Sequence, residues 1–345
     1  RARARVLRDG GRDSGAIVIR VQRTVAVGSV LDGEPGAALA LTAVLPEARV
    51  ADPPVAFFCV PGGGLDRGYF DLRPDGETRF SFVAQMAERG YITLAIDPLG
   101  IGGSSRPARG FDLTPEVHAL AQARLQSVLC AELREGRFHD ALPAMPGLLR
   151  IGVGHSVGGM LIVFQQAAHR SFDALVLLGF GTGGLPSVLD EETRAYADDP
   201  AGARANIVRL ARKWYAEPYP WLDAGGRGRE IYGGHADRAA RLAMRECRAP
   251  LLATIAIFVI IPGSSAPEAA RVDVPVLLVA GDEDLCGPAN MLSASFPCSP
   301  HVSAVELADT GHSHFAFPSV DVLFPRIAGW AQALTVAGAG AEARA

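Results

Sequence analysis

Short apolar runs alternate with amphipathic stretches along most of the 345-residue chain. The run VAFFCV at residues 55–60 has no polar position, which is typical of a strand buried on both faces. We predict two antiparallel strands within residues 24–45, joined by the turn DGEPG, and further strands at residues 91–97, 148–154, 174–180, 274–281 and 302–308. Helices are predicted at residues 80–89, 115–133, 157–169 and 320–334. This alternation predicts an α/β protein with a mostly parallel central sheet and helices on both faces.

One interval breaks the alternation. Residues 181–271 carry helical patterns and clustered aromatic side chains without clear strands, so we predict an inserted helical cap there. The core is then expected to comprise residues 24–180 and 272–334. The arginine-rich residues 1–23 are predicted to form a disordered arm, and residues 335–345 a flexible tail.

Composition narrows the class of partner. The chain is 49% hydrophobic and 20% charged, as is usual for globular proteins, and its net charge of −4 without a basic block argues against nucleic acid. The longest apolar run, residues 251–261, is shorter than the roughly 20 residues that span a bilayer, so no membrane partner is expected. Five scattered cysteines without a CxxC pair favour reduced thiols and a cytoplasmic location, with a removed upstream segment left open. No feature indicates an oligomeric state.

The stretch GVGHSVGGM at residues 152–160 lies between a predicted strand and a predicted helix. A phosphate-binding interpretation needs glycine at position 157 of G-x-G-x-x-G, but Val157 occupies it, although the acidic Asp173 follows at a suitable distance. The only lysine, Lys213, precedes Trp214, which excludes a P-loop. No cofactor is therefore predicted.

The same stretch fits G-x-S-x-G, with Ser156 at the centre and Gly154 and Gly158 on either side. Such a turn displays a nucleophilic serine and aims the N–H groups of the next helix at an oxyanion. Serine needs a base and an orienting carboxylate, and both types of residue follow later strands: residues 282–284 read DED and residues 309–312 read DTGH. Because the carboxyl ends of parallel strands share one edge, these side chains are expected to converge.

With these motifs in this order, the chain resembles α/β-hydrolase-fold proteins over roughly residues 24–334. The resemblance implies that Asp284, three residues after the glycine that ends its strand, is the triad acid, with Asp282 as a rival. It implies that His312 is the base. His314 remains an alternative base or, with His312, half of a metal pair, but no third ligand cluster accompanies it and no metal is predicted.

Two further motifs extend the resemblance. VPGGGL at residues 60–65 is similar to the family's oxyanion loop with Pro61 in place of histidine, which implies that the backbone N–H of Gly63 or Gly64 acts together with that of Val157. DPLGIGGS at residues 97–104 resembles a turn with a structural role in the family. Substrate contacts are expected from four residues near the site, namely Leu65, Tyr69, His155 and Trp214.

A serine at the nucleophile position implies acyl chemistry. We expect a serine hydrolase that cleaves an ester, lactone or thioester of a largely apolar small molecule through an acyl-enzyme. A lyase or acyltransferase on the same fold, a C–C bond hydrolase and a non-catalytic ligand receptor stay open as alternatives. The aromatic residues of the cap and residues 251–261 are expected either to line an apolar pocket or to form the core of the cap itself.

Overall fold

The computed structural model describes residues 5–9, 18–47, 49–221 and 235–342 of the chain. Within these residues, nine strands form one sheet. They are β1 (Arg5–Asp9), β2 (Val18–Gly28), β3 (Ala37–Pro46), β4 (Val55–Val60), β5 (Ile92–Ile96), β6 (Leu149–His155), β7 (Ala174–Leu178), β8 (Val276–Gly281) and β9 (Val302–Leu307). Their order across the sheet is β1-β2-β3-β5-β4-β6-β7-β8-β9.

The sheet is parallel over most of its width. Strands β1, β2 and β3 pair in antiparallel fashion, as do β3 and β5. From β5 across β4, β6, β7 and β8 to β9, every neighbouring pair is parallel. The predicted α/β fold with a mostly parallel central sheet is therefore confirmed, and the carboxyl ends of β6, β8 and β9 lie at one edge.

Helices follow most of the strands. The described helices are α1 (Phe82–Glu88), α2 (Pro115–Arg134), α3 (Val157–His169), α4 (Glu191–Arg194), α5 (Pro200–Trp214), α6 (Arg238–Glu246), α7 (Ala253–Ile260), α8 (Ala266–Ala269), α9 (Ala289–Leu292) and α10 (Val320–Glu342). None of them combines the length and the apolar character that a membrane crossing requires.

Both faces of the sheet are buried, as the apolar run of β4 predicts. Ala56 and Phe58 point into a core shared with α2 and α3, whereas Phe57 and Cys59 point into a core shared with α1 and α10. All six residues of β4 are buried, because a central parallel strand alternates its side chains between two helix-covered faces.

The amino-terminal part differs from the predicted disordered arm. Strand β2 begins at Val18, and β1 pairs with it through residues such as Arg5 and Gln22. Arg20 is only 6% exposed, and its guanidinium lies 3.1 Å from the carboxylate of Asp71. The arginines suggested a solvated segment, but a long side chain can be buried when its charge is paired.

The carboxyl-terminal helix also exceeds its prediction. We expected it to end at residue 334 with a flexible tail beyond, whereas α10 continues to Glu342. The added stretch is rich in alanine, the residue with the highest helix propensity, which offsets the two glycines it contains.

The segment between β7 and β8, called the β7–β8 segment from here on, contains α4 to α8. Residues 222–234 of the predicted cap lie outside the described residues. In the described part of this segment, the only strand-like pairing is an isolated bridge between Arg248 and Leu65 of the core.

Candidate active site

Ser156 lies on the sharp turn between β6 and α3. Its backbone has φ 53° and ψ −119°, a conformation that is strained for a residue with a side chain. The turn is held in place because the Ser156 N–H donates to the carbonyl of Leu178, at 2.8 Å. The strained residue is thus the one that the G-x-S-x-G pattern singled out as a nucleophile.

The glycines of this motif are required by close backbone contacts. A Cβ at position 154 would lie 2.5 Å from the Cα of Gly159, and a Cβ at position 158 would lie 2.1 Å from the carbonyl oxygen of Val60. Neither contact leaves room for a methyl group. The small residues on both sides of Ser156 therefore let strand and helix meet in a tight turn.

The structure brings Ser156, His312 and Asp284 together. His312 Nε2 lies 2.8 Å from Ser156 Oγ, and His312 Nδ1 lies 2.6 Å from Asp284 Oδ1. A carboxylate accepts, so Nδ1–H donates to Asp284 and Nε2 is left to accept the hydroxyl proton of Ser156. Both distances are short enough for hydrogen bonds, and the geometry is that of a nucleophile, a base and an orienting acid.

Asp282 serves a different purpose. Its two carboxylate oxygens accept the backbone N–H groups of Asp309 and Thr310, each at 3.0 Å. These bonds join the loop after β8 to the loop after β9, which carries His312. Of the two acids considered from sequence, the structure thus brings Asp284 to His312, and Asp282 to the supporting backbone.

Asp284 is ionised although it is buried. Burial acts to raise the pKa of this carboxyl, but the hydrogen bonds from His312 and His314 outweigh it and hold the pKa well below its usual range. By contrast, burial and the nearby carboxylate raise the pKa of the Cys286 thiol. This shift favours the thiol over the thiolate, which is the nucleophilic form.

His314 does not contact Ser156. Its side chain has no exposed surface, and its Nε2 lies 2.8 Å from Asp284 Oδ2. The alternative in which His314 is the base therefore finds no support in the geometry. In the part of the chain that the structure describes, Asp284, Cys286 and His312 are the one group with metal-ligand spacing, and their atoms already bond to one another.

His155, next to the serine, supports the site from below. Its Nε2 lies 2.9 Å from the carbonyl oxygen of His312, so Nε2–H donates to the backbone of the base. Its ring stacks on Tyr69 with centroids 4.6 Å apart, and Tyr69 stacks on Phe315 at 4.9 Å. Burial lowers the pKa of His155 well below its usual value, which keeps the imidazole neutral.

The glycine loop (residues 61–65) passes beside the serine turn. A Cβ at position 63 would lie 3.3 Å from the Val157 side chain, so the loop and the start of α3 are in contact. Gly64 has φ +78°, and the Leu65 N–H closes the turn on the Gly62 carbonyl. Among the described residues, no acceptor faces the N–H groups of Gly63, Gly64 or Val157, which suits them to receive an oxyanion.

A narrow apolar cavity adjoins this loop, with a volume of about 10 Å³, room for about one water. Its walls come from the glycine loop, from the start of α3, from Pro98 and Ile101, and from Pro250, Leu251, Leu252 and Ala256 of the β7–β8 segment. No charged side chain lines it. The apolar run of residues 251–261 thus has two roles. Leu251, Leu252 and Ala256 line the cavity, whereas Ile255, Ile257 and Phe258 are buried in the core.

The other predicted substrate contacts are placed differently. Leu65 lines the cavity, but Tyr69 has no exposed surface and His155 is 2% exposed, so both lie beneath the site. Trp214 does not line the cavity and donates its indole N–H to Thr193 within the β7–β8 segment. Of the four, Leu65 alone lines this cavity.

The loop after β5 has a structural role, as expected. Asp97 is fully buried and accepts the backbone N–H groups of Arg67 and Gly103, each at 2.8 Å, and it pairs with the Arg67 guanidinium. Ser104 donates to the Asp97 carbonyl and accepts from Ala40 of β3. This network fixes the loop that supplies Pro98 and Ile101 to the cavity wall.

Sequence comparison identifies the family of the chain. Residues 57–323 match the alpha/beta hydrolase family. Because that match covers most of the chain, the protein belongs to this family. No curated protein sequence matches the chain.

Solved structures with the same fold include several esterases and a thioesterase. A carboxyl esterase from Bacillus coagulans, in complex with glycerol, is 14% identical with a TM-score of 0.59, covering 96% of this chain and 99% of its own. Esterase RhEst1 from Rhodococcus is 18% identical with a TM-score of 0.52, covering 89% and 96%. The thioesterase domain of the curacin biosynthetic pathway is 14% identical with a TM-score of 0.52, covering 95% and 99%. At these identities the likeness supports the fold alone.

Proposed function

We propose that the protein is a serine hydrolase that cleaves an ester, lactone or thioester of a largely apolar small molecule. The observation that carries the proposal is the hydrogen-bonded series from Ser156 to His312 to Asp284, with distances of 2.8 and 2.6 Å, beside an apolar cavity. Family membership supports hydrolytic chemistry in general, and the serine at the turn selects acyl transfer within it.

In this mechanism Ser156 Oγ attacks the substrate carbonyl while His312 Nε2 takes the hydroxyl proton. The carboxylate of Asp284 stabilises the imidazolium that forms. The carbonyl oxygen becomes an oxyanion, which receives the N–H of Val157 and that of Gly63 or Gly64, each contributing about 3 kcal/mol. His312 then protonates the departing alcohol or thiol, and the acyl group remains on Ser156.

Hydrolysis of the acyl-enzyme repeats these steps with water as the nucleophile. His312 removes a proton from the water, the hydroxide adds to the acyl carbon, and the bond to Ser156 Oγ breaks as the proton returns to it. The products are the free acid and the unchanged enzyme.

The cavity supports an apolar substrate group of limited size. With a volume of about 10 Å³ it holds about one water as it stands, so an acyl group must displace a wall to enter, and the walls carry no charge to pair with an ionic group. Because Leu251, Leu252 and Ala256 form one wall, we infer that the β7–β8 segment acts as a cap that covers the apolar group and selects its length.

A panel of p-nitrophenyl esters and acyl thioesters of increasing chain length, assayed with wild type and Ser156→Ala, tests the proposal. We expect wild type to release free acid, and Ser156→Ala to lose several orders of magnitude in kcat while keeping its fold. A fluorophosphonate should label wild type but not the variant. Retained activity in Ser156→Ala contradicts the proposed nucleophile, and acyl transfer to an added alcohol without free acid identifies an acyltransferase instead. Labelling without turnover of any substrate supports a receptor.

A further inference from the structure

The carboxylate of Asp284 lies between two imidazoles, one on each oxygen. Oδ1 is 2.6 Å from His312 Nδ1, and Oδ2 is 2.8 Å from His314 Nε2. The side chains of Asp284 and His314 are both fully buried, whereas His312 is 12% exposed. The proposed mechanism uses the first of these hydrogen bonds and gives no role to the second.

The direction of the second hydrogen bond follows from the chemistry of the carboxylate. An ionised carboxylate only accepts, so the His314 Nε2–H donates to Asp284 Oδ2. The other ring nitrogen, Nδ1, is buried, and no described residue offers it a hydrogen-bond partner. The only contact that holds this ring through a hydrogen bond among the described residues is therefore the one to Asp284.

The ring of His314 is held by tight local contacts. It begins a short turn (His314–Ala316) in which the Phe317 N–H donates to the His314 carbonyl, at 3.2 Å. Its edge meets the ring of His155 with centroids 5.9 Å apart. The titratable groups around it are Asp284 and Cys286 after β8, His155 at the end of β6, His312 on its own loop, and Tyr69, whose hydroxyl accepts the Phe315 N–H.

We propose that His314 is a positioning residue for the triad acid. Its Nε2–H holds Oδ2 of Asp284 so that Oδ1 faces His312 Nδ1. The carboxylate torsion of an aspartate is soft, so a second fixed contact is needed to hold one oxygen in line with the base. This inference rests on the proposed function, in which His312 is the base.

The same bond tunes the base. A carboxylate that already receives a hydrogen bond from His314 attracts the proton on His312 less strongly than one without it. Removing the donor should therefore make His312 easier to protonate and should also loosen its alignment with Ser156. A residue that only fills space would produce neither effect on titration.

Two matched variants separate these roles. His314→Gln places an amide N–H near the position of Nε2, whereas His314→Met has a chain of similar length without a donor. We expect His314→Met to move the acid limb of the pH profile of kcat/KM upward by about 1 pH unit, and to lower kcat about tenfold. His314→Gln should keep the limb near its wild-type position and most of kcat. The control His118→Met removes a buried histidine from α2 and should leave the limb in place.

A measurement without substrate separates this proposal from the proposed function. The downfield proton resonance of the His312 Nδ1–H, followed by NMR against pH in the free protein, should titrate at higher pH in His314→Met than in wild type and in His314→Gln. If His314→Met does not fold, His314→Asn replaces it, because its shorter amide cannot reach Asp284. Identical titration in donor-bearing and donor-free variants overturns the positioning role, even if the protein proves inactive on every ester tested.

Discussion

Replacing Asp284 by asparagine separates the triad acid from its neighbour Asp282 more sharply than any other substitution. Asp284 receives N–H groups from His312 at 2.6 Å and from His314 at 2.8 Å, so it must accept through both oxygens. An amide offers one oxygen and one NH2 group, so one of the two histidine N–H groups would face another donor instead of an acceptor. The neutral amide also cannot stabilise the imidazolium. We expect kcat to fall about 10⁴-fold, equivalent to about 5.5 kcal/mol in activation free energy.

Asp282→Asn is the matched control. This exposed side chain accepts the backbone N–H groups of Asp309 and Thr310, and an amide oxygen still satisfies one of them. Its kcat should stay within about threefold of wild type, since the group contacts no reacting atom. Steady-state kinetics on a p-nitrophenyl ester, with circular dichroism to verify folding, gives the comparison. A larger loss in Asp282→Asn than in Asp284→Asn would refute the assignment of the acid.

Two further substitutions test the cavity and the buried histidines. Leu251→Ala shortens a side chain in the cavity wall and so enlarges the cavity. The preferred acyl chain in p-nitrophenyl ester kinetics should therefore lengthen, with a gain in kcat/KM of about fourfold for each added methylene. The control Leu242→Ala, at an exposed position, should leave the chain-length preference unchanged, and an unchanged preference in Leu251→Ala would contradict the proposed pocket. Burial lowers the pKa of His118 to about 3, so between that value and the usual 6.5 the unfolded chain binds more protons than the folded one, and stability falls as pH drops through this window. At about pH 5 this lowers the free energy of unfolding by about 2 kcal/mol. Urea unfolding at about pH 7.5 and about pH 5 should therefore show that His118→Met loses less stability on acidification than wild type does.

Much of the fold could be predicted because its buried strands have unbroken apolar runs and its helices have clear starting signals. The predicted strand at residues 55–60 and the predicted helix at residues 157–169 agree with the bounds of β4 and α3. Both are strongly patterned segments, with either an unbroken apolar run or a glycine turn at the start. Sequence failed at β1 and the beginning of β2, because the buried pairing of Arg20 with Asp71 depends on a partner 51 positions away. Such a partner leaves no mark on local periodicity.

The arrangement of the candidate site could be predicted in part. The serine stands out by its turn motif, whereas the choice of Asp284 and His312 rested on the family resemblance, and all three follow strand ends that meet at one edge in any parallel sheet. Sequence did not predict which buried side chains lie beneath the serine turn. The expectation that Tyr69 and His155 face the substrate came from their nearness in sequence to the glycine loop and the serine. Their ring stack, with centroids 4.6 Å apart, instead buries both under the turn.

His314 shows why a sequence motif does not predict the contacts of such a buried residue. The H-x-H spacing suggested a base or a metal ligand, since both use an imidazole nitrogen that is free to bond. The structure satisfies Nε2 with Asp284 and leaves Nδ1 buried without a partner among the described residues. Neither outcome can be derived from spacing, because the rotamer of His314 is set by the packing around it, with Phe315 between Tyr69 and Phe82.

The glycine loop and the cavity wall are joined through the backbone. The Asp66 N–H donates to the Cys247 carbonyl at 2.8 Å, and the Ala249 N–H donates to the Gly64 carbonyl at 2.9 Å. The chain that makes these bonds continues directly into Leu251, whose side chain would lie 3.1 Å from a Cβ at Gly63. A shift of the β7–β8 segment must therefore displace the N–H groups proposed to receive the oxyanion. Under the proposed function we therefore expect acyl-group size and catalytic geometry to be coupled, because an acyl group that pushes Leu251 outward would also move the loop proposed to hold the oxyanion.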